Sequence, residues 1–280
     1  MSPGEVHYKV GWRAAGHHPG HHPSRQQGGG LHFQHHVPLA DAPDPRRFDV
    51  RASLRDPFER IQVRVYRQTS AIPVWVVADL SASMAYAGTC AKTAVLADLV
   101  AGLGYSAYRT GDRFGFVGCA ERPLDDWLMP STMNRAGALD LAARLRGLVP
   151  HGRGADGLAT AAGLLGARRA LVFLVSDFHL PLELVERTLL GLALHDVVPV
   201  VLWERSEYAE LPRFGLARVR DAESGRSRLL FMRPALHRRI AAAYAARRER
   251  LATLFARHGR LPLYLERGFD ADEVTHYFFG

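Results

Sequence analysis

Ile72-Pro-Val-Trp-Val-Val-Ala-Asp79-Leu-Ser81-Ala-Ser83 is the stretch that decides how this chain folds. From Ile72 to Ala78 the run is apolar and carries no charge. A short, uninterrupted apolar run suits a strand covered on both faces, as in a parallel sheet. In an extended chain alternate side chains share a face. Asp79, Ser81 and Ser83 are therefore expected to point one way, and Leu80 and Ala82 the other. Oxygens gathered at the carboxyl end of a strand lie where open α/β sheets bind ligands. A carboxylate with hydroxyls suits a hard divalent cation such as Mg²⁺.

Phe114 to Cys119, Ala170 to Val175 and Val197 to Trp203 are similar apolar runs. Helical spacing lies between them, in Val95, Leu96, Leu99, Val100 and Leu103, in Leu139, Ala142, Ala143 and Leu145, in Leu158, Ala161, Ala162 and Leu165, and in Leu182, Val185, Leu189 and Leu192. This alternation predicts an α/β fold, a doubly wound, mostly parallel sheet of Rossmann type with helices on both faces. Residues 71–204 form that domain. Before it, residues 46–70 are a lead-in segment in which Ile61, Val63 and Val65 alternate with polar neighbours as in a half-buried strand. After it, residues 205–280 form an extension packed on the main domain. Leu216 to Arg220 and Arg228 to Met232 flank Glu223-Ser-Gly-Arg226 as a hairpin, Pro234 opens a helix, and Leu261 to Leu265 is one more strand. That helix carries Leu236, Ile240, Tyr244, Leu251 and Phe255 on one face. Arg238, Arg239, Arg247, Arg248 and Arg250 lie on the other, read as solvated.

Residues 1–45 differ in composition. His17, His18, His21, His22, His35 and His36 are interspersed with Gly28-Gly29-Gly30 and prolines. The segment reads as a flexible His/Gly/Pro-rich arm without fixed ligand geometry.

The composition narrows the function. With 280 residues and 48% hydrophobic content, the chain can bury a sizeable core. Its two cysteines, Cys90 and Cys119, make no disulfide framework and read as buried reduced thiols. No apolar stretch is long enough to span a bilayer and no basic-then-apolar leader opens the chain, so a cytoplasmic protein is expected. The net charge of +8 comes almost wholly from scattered arginine, without a nucleic-acid-binding signature, so no nucleic-acid partner is expected.

A second acid completes the candidate site. Leu171-Val-Phe-Leu-Val-Ser-Asp177 is another buried strand ending in aspartate. If the two strands are neighbours, Asp177 approaches Asp79 from the side. Each acid could instead cap a following helix, with Ser81 and Ser83 satisfying free N–H groups. The combination of residues in this order favours the metal site. A metal-dependent hydrolase or phosphatase is the enzymatic alternative. Against it, no second carboxylate sits within two residues of Asp79, and Lys92 is expected on a helix surface. No Gly-rich Walker loop and no nucleophile elbow are present.

The arrangement resembles the metal-ion-dependent adhesion site of von Willebrand factor A domains. From about Asp41 onward the chain is similar to the bacterial family called domain of unknown function 58. The resemblance rests on Asp44-Pro-Arg-Arg-Phe-Asp-Val-Arg-Ala-Ser53, Gly111-Asp-Arg-Phe-Gly115, Val175-Ser-Asp-Phe178 and Arg220-Asp-Ala-Glu-Ser-Gly225. It implies a non-enzymatic adaptor that works with a MoxR-type AAA+ ATPase in maturing a client protein, including metal insertion. The lead-in segment is also similar to the MxaS-like branch, associated with calcium loading of methanol dehydrogenase. The resemblance further implies that Ser81 and Ser83 coordinate Mg²⁺, Mn²⁺ or Ca²⁺ directly, while Asp79 and Asp177 act through water. One position departs from the family. Where its later loop reads Gly-Thr-Asp, this chain has Gly154-Ala155-Asp156. The threonine ligand is missing, and Asp156 is the candidate substitute. A scaffold with a decayed metal site is the alternative that Ala155 raises.

Overall fold

The computed structural model describes residues 4–12, 14, 19–208, 212, 214–220 and 227–280. His17 and His18 of the histidine-rich segment, and the Asp221 to Arg226 turn, lie outside the described residues, as does the side chain of His21. The chain divides into two compact units. One comprises Met1–Lys9, Pro73–Arg109 and Arg113–Gly280; the other comprises Val10–Ile72 with Thr110–Asp112.

The smaller unit is built on β1 (Pro19–Pro38) and β2 (Gln62–Ser70), which pair antiparallel with several register shifts. Residues 19–38, read as part of a loose arm, thus run as a strand. β2 offers them a backbone partner, and Val63 and Val65 give the pair a buried face. Between the strands, Asp49 caps the short helix α1 (Val50–Leu54) by accepting from the N–H groups of Arg51 and Ala52. Two histidines of the segment have structural partners. His22 Nε2 lies 2.8 Å from Asp112 Oδ2, and His36 Nε2 lies 3.0 Å from Asp49 Oδ2.

The larger unit carries a six-stranded sheet. Its strands are β3 (Pro73–Asp79), β4 (Arg113–Cys119), β5 (Pro123–Thr132), β6 (Leu171–Ser176), β7 (Asp196–Leu202) and β10 (Leu263–Leu265). The spatial order is β10-β7-β6-β3-β4-β5, all parallel except β5, which runs antiparallel at one edge. This is the doubly wound α/β sheet expected from the apolar runs. On one face, Trp75, Val77, Val172 and Leu174 join the core formed with α4 (Gly157–Thr160), α5 (Leu182–Gly191) and α6 (Pro234–Arg257). The opposite face carries α2 (Lys92–Arg109) and α3 (Arg135–Arg146), and Phe173 there meets Phe278 of α7 (Ala271–Phe279). At Gly115 a Cβ would come within 2.6 Å of the Trp75 ring, so glycine there leaves room for the indole.

The C-terminal elements follow the expected order, with β8 (Gly215–Arg220) and β9 (Ser227–Met232) forming a separate two-stranded sheet before α6. The helix expected around Leu158 to Leu165 is only α4 followed by one 3-10 turn, Ala161–Leu164. Cys119 is buried as expected, whereas Cys90 is only partly buried; both are free thiols.

Candidate metal centre

Asp79 is the last residue of β3, at the centre of the sheet. The chain passes from β3 to β4 on one side and later returns to β6 on the other. The crevice between β3 and β6 is therefore the switch point of the sheet, where doubly wound folds take ligands. Ala78 pairs with Val175, which sets Asp79 level with Ser176. Ser176 Oγ donates to Asp79 Oδ2 at 2.8 Å, and the Ser81 N–H donates to Asp79 Oδ1 at 2.9 Å. One oxygen of Asp79 thus holds the backbone just past the strand, but the N-cap of the turn that follows is Ser81 and not Asp79.

The hydroxyls come together for a different reason from the one the sequence suggested. The strand stops at Asp79, and Ser81 opens a 3-10 turn over Ala82–Ala85. It is this turn, rather than extended alternation, that brings Ser81 Oγ within 3.3 Å of Ser83 Oγ. Ser81 makes no side-chain capping bond there. It is buried, while Ser83 is half exposed, so this donor set opens toward solvent on one side.

Asp177 follows β6 directly and is fully buried. It does not cap α5, whose N-cap is Pro181. Its Oδ1 accepts from the His179 N–H at 3.1 Å, and its carbonyl accepts from Trp203 Nε1 at 2.7 Å. The next residue, Phe178, has φ +51°, an unusual value for a bulky side chain. Its surroundings hold it there. The Phe178 N–H donates to Ser176 Oγ at 2.9 Å, and the Phe178 ring meets Phe255 edge to face. Arg247 donates to the carbonyls of Phe178 and Leu180. Arg247 therefore leaves the solvated face assigned to it and braces the loop beside Asp177. Ser176 Oγ, bonded to both Asp79 and the Phe178 backbone, joins the two acidic loops.

Lys92 is the site residue that the sequence reading misplaced. It is the first residue of α2, yet its side chain is only 4% exposed. Its Nζ lies 3.0 Å from Asp177 Oδ2 and 2.7 Å from Glu207 Oε1. A signal was present: Lys92, Leu96, Leu99 and Leu103 share the helical spacing of one face, and Leu96, Leu99 and Leu103 are fully buried. Glu207, from the 3-10 turn Arg205–Glu207, had no such signal. Its Oε2 also accepts from the Tyr244 hydroxyl at 3.3 Å and lies 3.6 Å from His179 Nε2.

These contacts set the two acids apart. Burial, reinforced by the neighbouring Asp177 charge, pushes the Asp79 carboxyl up to about 6. For Asp177 burial also works upward. The Lys92 and His179 charges outweigh it and hold Asp177 below the usual carboxylate range.

The Gly154-Ala155-Asp156 loop makes other contacts. Ala155 is fully buried in the apolar core, and Asp156 is exposed and pairs with Arg187 at 3.0 Å. Gly157 explains the placement. Its N–H donates to the Ala120 carbonyl, and a Cβ there would collide with the Arg122 backbone, so the loop is drawn against the β4–β5 connection. Among the described residues no group of three or more His, Cys, Asp or Glu side chains could hold a metal ion. The groups brought together are one carboxylate with two hydroxyls, and a second carboxylate alongside. That donor set fits a hard cation that keeps several waters, and it does not fit a softer ion that needs nitrogen or sulfur.

The chain is similar to several known proteins. Residues 43–250 match the family described as protein of unknown function DUF58. A protein of Paracoccus denitrificans, described as an uncharacterized protein in the moxR 3' region, is 34% identical over 99 residues, 35% of this chain and 94% of that one. Among solved structures, the conserved hypothetical protein BatB of Bacteroides thetaiotaomicron is similar at 12% identity, with a TM-score of 0.45, over 72% of this chain and 94% of its own. A von Willebrand factor type A protein from Catenulispora acidiphila is similar at 16% identity, with a TM-score of 0.37, over 76% and 42%.

Proposed function

This chain belongs to the family of proteins of unknown function DUF58, and from that premise we propose that it is a non-enzymatic adaptor that holds a protein partner at the carboxyl end of its central sheet. The observation that carries the reading is the meeting of Asp79, Ser81 and Ser83 beside Asp177 at the switch point. Ser81 and Ser83 would hold a divalent cation directly, with Asp79 and Asp177 acting through water. When bound, the cation would offer an open position to a carboxylate of the partner. Ser176 and Arg247 keep the two loops in register, and Ser83 leaves the entrance wet.

The partner would be a MoxR-type AAA+ ATPase, and the task the maturation of a client protein in the cytoplasm, metal insertion included. The relative encoded beside moxR supports this choice. Among the described residues no helix is long and apolar enough to cross a membrane. Lys92 weighs against the phosphatase alternative: its ammonium is buried and engaged by two acids, so it is not presented to a substrate phosphate.

Affinity capture tests the reading. The tagged protein, recovered from its native bacterium in Mg²⁺ buffer, is expected to bring a MoxR-type ATPase with it. Ser83→Ala removes a half-exposed hydroxyl and is expected to lose that ATPase, as is wild type in a chelator. Equal recovery with and without Mg²⁺ would favour the decayed-site scaffold that Ala155 suggests. Absence of any such ATPase with wild type would sink the adaptor reading.

A further inference from the structure

The ion pair at Lys92 has a consequence for the candidate metal centre, and the inference drawn from it rests on that reading. A lysine buried to 4% exposure is rare unless its charge is used. Lys92 does not reach solvent and does not cap a helix. It lies between two acids from different parts of the chain, 3.0 Å from Asp177 and 2.7 Å from Glu207. The acids outnumber it. Asp79, Asp177 and Glu207 bring three acids to this end of the sheet; the Lys92 ammonium pairs with two of them, and the part-exposed His179 ring lies 3.6 Å from Glu207.

We propose that Lys92 is a resident counter-cation that sets the charge of the metal centre, neutralising Asp177 so that a divalent ion at Asp79, Ser81 and Ser83 meets one uncompensated carboxylate there instead of two. The physical effect is long-range. Inside a protein, charges a few ångströms apart interact far more strongly than in water. A fixed ammonium beside Asp177 weakens the hold of the site on an incoming cation. It also leaves the bound cation less neutralised by the protein, and so more attractive to a carboxylate ligand from outside. Glu207 moderates this by sharing the ammonium. Because Glu207 sits on the Arg205–Glu207 turn and accepts from Tyr244 of α6, the C-terminal elements take part in setting the charge at the site.

The two partners of the pair should act in opposite directions, which a merely structural role would not produce. Mn²⁺ binding to the full-length protein, measured by isothermal titration calorimetry, is the test. Lys92→Met removes the positive charge, and Mn²⁺ is expected to bind about tenfold tighter or better than in wild type. Glu207→Gln leaves Lys92 to Asp177 alone, and Mn²⁺ is expected to bind about tenfold more weakly. Circular dichroism confirms that each variant folds. Should Lys92→Met fail to fold with two buried acids unpaired, Glu207→Gln, which keeps the Lys92–Asp177 pair, decides alone. Weaker or unchanged binding in Lys92→Met, or tighter or unchanged binding in Glu207→Gln, beside a wild type that binds Mn²⁺, overturns the inference and leaves the metal centre standing. Absence of Mn²⁺ binding in wild type and in both variants overturns the metal reading itself, and this inference with it.

Discussion

Asp49 is surrounded by donors. Its Oδ1 accepts from two backbone N–H groups at the start of α1, and its Oδ2 meets Arg64 Nε at 2.6 Å and His36 Nε2 at 3.0 Å. Bonds from Arg64, Ala52 and His36 hold its carboxyl well below the ordinary value of 3.8. A depressed acid stabilises the fold above its unfolded-state value and loses that contribution as pH falls toward the folded-state value. Thermal melts should therefore show the advantage of wild type over Asp49→Asn intact at neutral pH and shrinking below about pH 4. Asp49 stands in the Asp44 to Ser53 stretch quoted from the sequence, but its partners could not be read there, because Arg64 arrives from β2. Ala155 makes a second case. It stands where the resemblance implies a threonine ligand, and it is fully buried in the core. Ala155→Thr is expected to lower stability by about 1–3 kcal/mol, because a methyl and a hydroxyl must enter packed space. Chemical denaturation measures this directly, and a neutral outcome would show that the loop has room to present an oxygen.

At the scale of elements, the loop after β6 depends on α6. Phe178 keeps its left-handed backbone because Arg247 binds two carbonyls of the loop and Phe255 packs on the ring. Arg247→Ala should destabilise the protein by about 1–3 kcal/mol in urea titrations. Hydrogen exchange at His179 and Leu180 should quicken along with it, and unchanged exchange would mean that the loop holds itself. The central strands were legible because burial on both faces writes an unbroken apolar run. β5 was not. It is an edge strand with Asp125, Asp126 and Pro130 inside it, so its run is broken by the polar residues that an edge tolerates. α7 was also missed. Its nine residues bury one fully enclosed side chain, Val274, which leaves little periodic signal.

At the scale of the whole chain, segments distant in sequence meet within the larger unit. The Val6 N–H donates to Ser106 Oγ of α2, the His7 N–H donates to Thr275 Oγ1 of α7, and Tyr8 meets Phe278 edge to face. Phe278 in turn packs on Phe173 of the central sheet. Deleting residues 271–280 uncovers this face and should cost more than about 3 kcal/mol, seen as a lower melting temperature and dye binding to exposed apolar surface. A melt that matched the intact chain would mean that α7 is dispensable to the core. The α/β class, the order of the central elements and the acids that end β3 and β6 were all determined by the sequence alone, because strand burial and strand ends leave local marks. Tertiary structure decided the rest. Only the strand order made Asp79 and Asp177 neighbours, only the packing of α2 turned Lys92 inward to Asp177 and Glu207, and only the anchored Gly157 loop sent Asp156 to the surface. The physical reason is that a charge is placed by what surrounds it, and its surroundings here come from segments far apart in the chain.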